Sequence, residues 1–464
     1  MYNLLPFNFS RIAGKEVLVN EAGDMLISPE GTVERIVSRS LPKDDLYKSL
    51  VSNFFIYESE YPVLLDIYAE KLREKKRFLD NFTGLHIFVL TLCCNQNCVY
   101  CQASSQDEYK SGCTMPKEVM KRSVDLMFSS PSPYLTMEFQ GGEPSLAPDL
   151  LEYGMSYASS LNQVHKRQLK FVLCTNCVNL TDRVLALCKE YDVLISTSLD
   201  GPSFLHNKNR GKVDSYERVV SGIEKARSVL GKEKVSALMT TSNEGLDYPL
   251  EIVDEYVKLG FQSIFLRALN PYGLATDSVN WEEYTSRFIE FYKKAFDHIL
   301  EINKGGKLFI EEFAAIVLRK ILTPYSTGFV DLQSPAGIIN SVLVYNYNGF
   351  VYCSDESRML AEFNDNTFRL GSVNDKYQDI VYGQKAREIA RVWCNECLAG
   401  CADCGIRAYC GADPVRNYST QKDAYGYRPG SLLCKKYKAI IEYIITLIIE
   451  RESEVLPIFK RWLV

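Results

Sequence analysis

The sequence has few histidines and no long apolar segment. Only four of its 464 residues are histidine, and their positions match no metal-binding spacing: His86, His165, His206 and His298. The longest apolar run, over 439–449, is interrupted by Glu442 and is too short to cross a bilayer. The first residues lack the basic and apolar regions of a signal peptide. We therefore expect no histidine metal site and no membrane partner, and we predict a cytoplasmic location.

The sequence also lacks an excess of positive charge. Its 53 Lys and Arg residues and 58 Asp and Glu residues give a net charge of −5. Proteins that bind nucleic acid usually carry basic patches, so no nucleic-acid partner is predicted. Hydrophobic residues make up 46% and charged residues 24% of the chain, as in ordinary soluble proteins, and the length allows two or three domains.

Cysteine, in contrast, is abundant, with 15 residues. In a cytoplasmic protein, thiols are more typical of metal or cluster binding than of disulfides. Three of them form a CxxxCxxC pattern directly after an apolar, β-rich run: Cys94, Cys98 and Cys101. Such a loop can hold an iron–sulfur cube and leave one iron open. A fragment of a zinc site is the alternative, but no fourth Cys or His falls between Gln102 and Gly112.

The triplet, with Tyr100 immediately before its last cysteine, resembles the signature of the radical S-adenosylmethionine (SAM) superfamily. The resemblance implies a [4Fe–4S] cluster on the three thiolates, with SAM bound to the open iron through its amino and carboxylate groups. It also implies reductive cleavage of SAM to a 5′-deoxyadenosyl radical, which abstracts hydrogen from an unactivated carbon. The expected activity is therefore that of an oxidoreductase-type enzyme.

From residue 84 to about residue 303 the pattern alternates between strands and helices. Strands are predicted over 84–92, 134–139, 169–175, 193–199, 234–241 and 263–268, with helices between them. Six such units with right-handed crossovers predict an α/β fold, a parallel and partly closed (β/α)6 barrel over 81–305. In α/β barrels the active site lies at the carboxyl ends of the strands. The CxxxCxxC loop follows one of these ends.

Polar residues follow other predicted strands. The second strand closes with Gly141, Gly142 and Glu143, where paired glycines allow close approach of backbone to a ligand. The resemblance implies that this GGEP motif binds the SAM amino group.

Small hydroxyl and carboxylate side chains at later strand ends, including Asp200, suit hydrogen bonds to ribose. The resemblance assigns such contacts to Ser198 and Asn176. It places Arg210 opposite the SAM carboxylate, a contact that suits a guanidinium, although a solvated loop arginine is the alternative.

Residues 1–80 are predicted to form a module of their own. Two short apolar runs, Lys15–Asn20 and Met25–Ser28, flank a glycine-containing turn and predict a hairpin. Helices are predicted over 32–40 and 44–55, with Asp44 as an N-cap, and a connecting helix over 62–78. The arrangement resembles winged-helix domains that bind a leader peptide as an added strand at a sheet edge. A purely structural cap on the barrel is the alternative.

The last region, 306–464, begins with a helix and then becomes rich in cysteine. A hairpin with Asn-Gly at its turn is predicted over 341–353. Four of the cysteines that follow resemble the SPASM extension and would hold one auxiliary [4Fe–4S] cluster: Cys401, Cys404, Cys410 and Cys434. A four-thiolate zinc site is the alternative. The cysteines outside these motifs and within the barrel are predicted to pack as small apolar side chains: Cys174, Cys177 and Cys188.

A further auxiliary cluster, the first in related enzymes, is predicted to be absent. Its expected ligand positions hold Ala336, Ser354 and Asp413, and a joint loss is better explained by a lost cluster than by unrelated changes. The competing hypothesis is a rebuilt site formed by Cys353, Cys394 and Cys397. A slip of one residue along a strand reverses the side-chain face, which argues against that site unless a bulge intervenes.

Several stretches resemble, more narrowly, the radical maturase of the His-Xaa-Ser peptide systems: 5–9, 130–133, 139–144, 345–349 and 418–421. The resemblance implies post-translational modification of a ribosomally synthesised precursor peptide, with a cross-link as the expected product. The implied partners are the precursor peptide, a second radical SAM maturase and an electron donor such as flavodoxin or ferredoxin.

Asp355 corresponds to the position of a catalytic base in the related sulfatase maturases. A carboxylate there could accept the proton released when a substrate radical is oxidised. Asp355, Glu356 and Arg358 could equally form a surface ion pair. Two other functions remain open at this point, a sulfatase-type maturase that forms formylglycine and a non-catalytic scaffold that presents the precursor to a partner enzyme.

Overall fold

A computed structural model describes residues 2–58, 63–211, 213–276 and 279–463. The described N-terminal strands are β1 (Tyr2–Leu4), β2 (Phe7–Ile12), β3 (Lys15–Asn20), β4 (Met25–Ser28) and β5 (Ile56–Glu58). The described N-terminal helices are α1 (Thr32–Val37), α2 (Asp45–Ser52) and α3 (Val63–Lys76). The predicted hairpin is confirmed, as is Asp44, whose carboxylate accepts the Tyr47 amide at 3.0 Å. Pro62, the predicted start of the connecting helix, lies outside the described residues.

β2, β3 and β4 form an antiparallel sheet in that order. The β2 edge is covered by the C-terminal region, because a Cβ placed on Gly405 would lie 2.6 Å from the Phe9 carbonyl oxygen. Asn8 also donates from Nδ2 to the Ala402 carbonyl at 3.0 Å. Within the described residues β4 has a strand partner on one side only, so it is the open edge of this sheet.

The next strands are β6 (Leu85–Thr91), β7 (Cys93–Cys94), β8 (Gln106–Asp107), β9 (Tyr134–Gly141), β10 (Gln168–Thr175), β11 (Leu194–Ser198), β12 (Val235–Leu238), β13 (Ser263–Ile264) and β14 (Ile310–Glu311). The helices are α4 (Lys117–Phe128), α5 (Pro148–His165), α6 (Asp182–Glu190), α7 (Ser203–Arg210), α8 (Ser215–Leu230), α9 (Pro249–Lys258), α10 (Trp281–Lys304) and α11 (Glu312–Leu322). The main strands lie parallel in the order β12-β11-β10-β9-β6. The predicted α/β fold with an incomplete barrel is confirmed.

The sixth predicted strand, 263–268, is shorter than expected. Only β13 forms there, and it pairs with β14 rather than with β12. The buried Glu311 carboxylate accepts the Leu266 amide at 3.1 Å, which takes the place of a strand-to-strand hydrogen bond. A single bridge between Thr241 and Ala268 links this corner to the end of β12.

The remaining strands are β15 (Val342–Tyr345), β16 (Phe350–Tyr352) and β17 (Arg369–Ser372). The remaining helices are α12 (Asp355–Ala361), α13 (Tyr377–Tyr382), α14 (Gln384–Ala390), α15 (Pro414–Gln421), α16 (Leu432–Glu450) and α17 (Glu452–Trp462). The predicted hairpin is confirmed as β15 and β16, but β15 also pairs in parallel with β6, with Val342 opposite Leu85. All four β15 residues are buried, as in a strand inside a sheet. The sheet therefore continues across the predicted boundary at 305/306.

The apolar run over 439–449 belongs to α16, which packs against α10. Its buried face includes Ile440, Ile441 and Ile444, and the ring of Phe296 on α10 contacts Tyr443. Among the described helices, none combines the length and the apolar character needed to cross a membrane.

Candidate active site

The carboxyl ends of the parallel strands and the region after β14 enclose a cavity of about 570 Å³. One side of this cavity is lined by the residues predicted to bind the cluster and SAM: Cys94, Cys98, Cys101, Gly141, Gly142, Asn176, Ser198 and Arg210. Asp355 lies on the wall formed by α12. The structure thus gathers residues from four strand ends and two helices around a single space.

Neighbouring loops hold the cysteine loop in place. The Val99 amide donates to the Asn209 carbonyl at 2.9 Å, and the Leu274 amide donates to the Cys101 carbonyl at 3.0 Å. Because both partners belong to other β/α units, the positions of Cys98 and Cys101 depend on the assembled barrel.

Each of the three thiols accepts a hydrogen bond. The Gln96 amide lies 3.4 Å from Cys94 Sγ, the Ser105 amide lies 3.4 Å from Cys101 Sγ, and Arg210 Nη1 lies 3.8 Å from Cys98 Sγ. Burial raises the pKa of Cys94 to about 12, so its thiolate needs a compensating positive charge such as that of iron. Three sulfur donors that face a cavity from one loop, each with a hydrogen-bond donor, fit a cluster with one open iron.

The paired glycines bring the GGEP turn against the chain that leads into Cys94. The Gly142 amide donates to the Thr91 carbonyl at 2.7 Å, and the Glu143 amide donates to the Cys93 carbonyl at 2.8 Å. A Cβ on Gly142 would lie 2.3 Å from the Cys93 carbonyl oxygen, so only glycine fits there. Both glycines also line the cavity.

Glu143 lies behind the cavity wall. Its carboxylate is fully buried and accepts hydrogen bonds from Thr175 Oγ1 at 2.7 Å, the Asn176 amide at 2.7 Å and the Ser145 amide at 3.0 Å. Burial raises the pKa of Glu143 in spite of these donors. The side chain ties the end of β9 to the end of β10, so it positions Asn176 for the cavity.

Asn176 and Ser198 both line the cavity, as predicted for cofactor contacts. Asn176 Nδ2 donates to Asn95 Oδ1 at 2.8 Å and lies 3.9 Å from Cys94 Sγ, while its Oδ1 accepts the Val178 amide at 2.9 Å. This amide therefore links the end of β10 to the cysteine loop. Ser198 closes β11 on the same side of the cavity.

Arg210 and Asp200 form a buried ion pair of 2.8 Å. Arg210 is 7% exposed, so the alternative of a solvated loop arginine is wrong. Burial alone raises the pKa of Asp200, but the Arg210 guanidinium and the Tyr100 hydroxyl outweigh it, and the pKa is lowered. Asp200 does not face the cavity and acts by fixing Arg210, which does.

Asp355 begins α12 and is held by a buried arginine. Arg358 donates from Nε at 3.1 Å and from Nη2 at 2.9 Å to the same oxygen, Asp355 Oδ1. Its Nη1 donates to the Ala103 carbonyl, in the cysteine loop, at 3.0 Å. Arg358 is only 1% exposed, so the predicted ion pair exists but the prediction that it lies at the surface is wrong.

The cavity wall also includes residues that the sequence did not single out for the site, among them Glu138 and Cys174. Glu138 on β9 receives a hydrogen bond from Gln140, and burial raises its pKa. Cys174 on β10 lies beside Glu138, so the prediction that it packs as an apolar side chain is wrong, whereas Cys177 and Cys188 do pack in the core. The missed signal is strand periodicity, because Cys174 lies two residues before Asn176 and shares its face.

The four cysteines predicted to hold the auxiliary cluster lie near one another. Cys401 and Cys434 both lie close enough to Cys410 to affect its ionisation, and Cys401 and Cys404 affect that of Cys434. Burial, with smaller contributions from Cys434 and Cys401, raises the pKa of Cys410 to about 12, although Lys320 opposes the shift. Arg428 Nε lies 2.9 Å from Cys401 Sγ. In the ranges that the structure describes, no three His, Cys, Asp or Glu side chains are arranged to hold one metal ion.

The three positions that lack the first auxiliary cluster's cysteines have structural roles instead. Ala336 packs in an apolar cluster that includes Cys353 and Ala412. Ser354 Oγ accepts the Ser357 amide at 3.2 Å as the N-cap of α12. Asp413 accepts the Arg416 amide at 2.8 Å as the N-cap of α15.

The surroundings of Cys353, Cys394 and Cys397 bear on the competing hypothesis of a rebuilt site. The fully buried Cys353 lies close to Ser357 and Glu356, and burial is the main cause that raises its pKa to about 12. Cys394 instead lies close to Glu396 and Cys397. Cys353 also packs in one apolar cluster with Trp393 and Leu398, which flank Cys394 and Cys397, so the rebuilt site stays a prediction that the iron content tests.

Residues 88–256 match the family model described as the Radical SAM superfamily. The chain is similar to the cysteine-type anaerobic sulfatase-maturating enzyme of Clostridium perfringens, with 23% identity over 370 residues, 75% of this chain and 93% of the relative. It is also similar to the AdoMet-dependent heme synthase of Methanosarcina barkeri, with 27% identity over 218 residues, 46% of this chain and 59% of that enzyme.

Two solved structures share the fold. Native anSMEcpe with bound AdoMet covers 80% of this chain and 100% of its own, with a TM-score of 0.62 and 20% identity. Streptococcus suis SuiB bound to precursor peptide SuiA covers 93% of this chain and 99% of its own, with a TM-score of 0.52 and 13% identity.

Proposed function

We propose that this chain, whose residues 88–256 match the Radical SAM superfamily model, modifies a ribosomally synthesised precursor peptide at an unactivated carbon, with a cross-link as the product. This match implies a [4Fe–4S] cluster and SAM, which together would supply a carbon-centred radical that removes hydrogen from the substrate. The observation that carries the proposal is the cavity of about 570 Å³ between the cysteine loop and Asp355. A substrate in this cavity lies between the source of the radical and a carboxylate.

The cofactor side of the cavity has a division of roles. Cys94, Cys98 and Cys101 hold the catalytic cluster, and the backbone at Gly141 and Gly142 lies against SAM together with other residues of that side: Asn176, Ser198 and Arg210. Glu143 and Asp200 do not line the cavity themselves. Glu143 accepts the Asn176 amide and Asp200 pairs with Arg210, so each positions a residue that does. These assignments follow the family resemblance and the placement of the side chains.

Asp355 is the proposed proton acceptor on the substrate side. Arg358 engages only Oδ1, which fixes the carboxylate without using its second oxygen in that ion pair. The same arginine is bonded to Ala103, so the base and the cysteine loop are held in a fixed relation. Oxidation of a substrate radical releases a proton, and a fixed carboxylate is suited to receive it.

The proposed electron acceptor is one auxiliary [4Fe–4S] cluster on Cys401, Cys404, Cys410 and Cys434. Its support is the proximity of the four thiols and the hydrogen bond from Arg428 to Cys401. The structural roles of Ala336, Ser354 and Asp413 support the absence of the first auxiliary cluster.

The N-terminal module is the proposed leader-binding domain. The open edge at β4 can accept one more strand, while the β2 edge is covered. The SuiB structure with its precursor peptide covers 93% of this chain, against 80% for the sulfatase-maturase structure, which favours a peptide maturase with an extra module. A second radical SAM maturase and a flavodoxin or ferredoxin remain the proposed protein partners, and the cytoplasm the proposed location.

The proposal is tested with anaerobically reconstituted protein, SAM and a reductant, with and without the candidate precursor peptide. We expect 5′-deoxyadenosine from the wild type, none from Cys94→Ala, and a peptide that has lost two hydrogens per cross-link. Conversion of a sulfatase-derived cysteine peptide to formylglycine would instead establish the sulfatase-maturase alternative. Absence of SAM cleavage in fully reconstituted wild-type protein would favour the non-catalytic scaffold.

A further inference from the structure

Several charged side chains on the cavity wall have no role in the proposed function. Asp331, Glu356 and Asp413 line this wall from three different segments, a turn before β15, helix α12 and the N-cap of α15. We call these three residues the acidic wall. Glu138, on β9, adds a fourth carboxyl group to the same cavity.

The cations of the cavity do not neutralise these carboxyl groups directly. Arg267, Arg416 and Lys436 line it, yet none forms an ion pair within 4.0 Å with an acidic side chain among the described residues. Arg416 donates instead to Asn270 Oδ1 at 3.0 Å, and Lys436 Nζ lies 4.9 Å from the centre of the Tyr437 ring. Apart from Arg210 and Asp355, which are paired with Asp200 and Arg358, four carboxyl groups therefore face three cations, two of which have other contacts.

The carboxyl groups also oppose one another's ionisation. Burial is the main cause that raises the pKa of Glu356 and of Asp413, the latter to about 6. Repulsion adds to it, because Asp331 raises the pKa of Glu356 and Glu356 raises that of Asp413. A cation bound between the carboxylates would relieve this repulsion.

Tyr272 supplies an observation independent of charge. Its side chain is 2% exposed and lines the same cavity. Its hydroxyl has no hydrogen-bond partner in the described part of the chain. Ser419 lies nearby, but its hydroxyl does not reach hydrogen-bond geometry. A buried hydroxyl without a partner is costly, and an N–H group bound in the cavity would give it one.

We propose that the acidic wall and the Tyr272 hydroxyl form a subsite for a cationic side chain of the substrate, the ammonium of a lysine or the guanidinium of an arginine. The assignment rests on the proposed function, since it assumes that a peptide enters the cavity. The subsite places a basic residue of the peptide opposite the cysteine loop and thereby orients the neighbouring carbon towards the cofactor. It would select a peptide by a charge close to the modified residue, in addition to the leader.

The test uses small probes and requires no precursor. N-acetyl-arginine amide and its uncharged analogue N-acetyl-citrulline amide are titrated by saturation-transfer NMR into the full-length, reconstituted protein. SAM is present at saturating concentration and no reductant is added, so SAM stays intact. Its own positively charged groups then occupy their sites before the probe is added. We expect the arginine probe to bind at least about fivefold more tightly than the citrulline probe, because its hydrogen bonds to the carboxylates are charge-assisted.

Three variants show which residues cause the tighter binding of the charged probe. The double variant Asp331→Asn/Asp413→Asn keeps the side-chain shapes and a good N-cap for α15, and it should lose the preference for charge. Tyr272→Phe removes only the hydroxyl and should weaken the arginine probe by about twofold. Glu450→Gln, at the exposed far end of α16, should keep the full preference. Near-UV circular dichroism checks that each variant is folded.

Equal binding of the two probes to the wild type would overturn the subsite, and so would an unchanged preference in the double variant. SAM cleavage is measured on the same preparations after reduction. Cleavage without a preference for the charged probe overturns the subsite alone. Absence of cleavage in the wild type overturns the proposed function, whatever the probes show.

Discussion

Arg358 donates two hydrogen bonds to a single carboxylate oxygen of Asp355, at 3.1 and 2.9 Å, from a position that is 1% exposed. The guanidinium uses its remaining arm on the Ala103 carbonyl at 3.0 Å. A single side chain thus connects the helix that carries the proposed base to the loop that carries the proposed cluster ligands. The orientation of Asp355 is set by this contact.

Replacement of the proposed base should separate cofactor cleavage from product formation. In Asp355→Asn we expect SAM cleavage to persist while peptide modification falls by about 100-fold or more, the usual contribution of a positioned base. The measurement is the ratio of 5′-deoxyadenosine to modified peptide. Glu362→Gln, at the other end of α12, is the matched control and should retain a wild-type ratio. Equal losses of both products in Asp355→Asn would assign this residue to cofactor binding instead.

Removal of the buried arginine should lower stability much more than removal of an exposed one. Arg358→Met leaves the Asp355 carboxylate without its partner and the Ala103 carbonyl without its donor, which should cost about 3–5 kcal/mol of unfolding free energy. Lys385→Met breaks the 2.9 Å pair with Glu388, which is about 40% exposed, and should cost less than about 1 kcal/mol. Urea unfolding in anaerobic buffer measures both. Similar costs for the two variants would contradict the importance assigned to the buried pair.

The number of clusters can be measured by iron and sulfide analysis with Mössbauer spectra. We expect about eight irons in the reconstituted wild type, and about four in the triple variant Cys94→Ala/Cys98→Ala/Cys101→Ala. Cys401→Ala should also lower the content, whereas Cys353→Ala should not, because that thiol packs in an apolar cluster. A wild-type content of about twelve irons that falls in Cys353→Ala would establish the rebuilt first auxiliary cluster.

Glu311 should make stability depend on pH. Burial raises its pKa from 4.5 to about 7, so the folded state binds a proton more tightly than the unfolded state does. Between about pH 4.5 and pH 7 the folded state therefore loses stability as the pH rises, by up to about 3 kcal/mol from this residue. Glu311→Gln lacks this titration. The unfolding free energy of the variant minus that of the wild type, measured by urea unfolding, should therefore rise by up to about 3 kcal/mol between pH 4.5 and pH 8. A difference that does not change with pH would show that Glu311 titrates normally.

Binding of a leader peptide should be visible at one sheet edge. Hydrogen exchange with mass spectrometry should show protection of β4 (Met25–Ser28) when the precursor is added, because an added strand bonds to the open edge. A leaderless peptide is the control and should leave the exchange of β4 unchanged. Protection confined to the cavity, with none at β4, would favour the structural-cap alternative for this module.

Local patterns predicted most of the fold. The strands over 84–92, 134–139 and 169–175 were visible as apolar runs with turns at their ends, and the structure places a strand at each. The CxxxCxxC spacing and GGEP likewise depend on neighbouring residues, and they meet in one cavity. Such signals survive in a single sequence because the chemistry is carried by residues close together in the chain.

Relations between distant segments could not be predicted in the same way. Cys174 faces Glu138 because β9 and β10 are paired in a particular register, and neither residue alone signals this contact. The parallel pairing of β15 with β6 joins residues about 250 positions apart, and the hairpin turn at Asn-Gly gave no indication of it. The burial of Arg358 depends on the same long-range packing.

That pairing has a consequence for how the protein can be divided. β15 hydrogen-bonds to β6, the strand that leads into the cysteine loop. The C-terminal segment therefore contributes a strand to the sheet of the barrel. α12, with Asp355, follows the same hairpin after two residues, so its distance from the cysteine loop is fixed by a ladder of backbone hydrogen bonds. The distance between the proposed cluster ligands and the proposed base is therefore set within a single sheet. A truncation near residue 306 would expose an edge of that sheet rather than release an independent barrel.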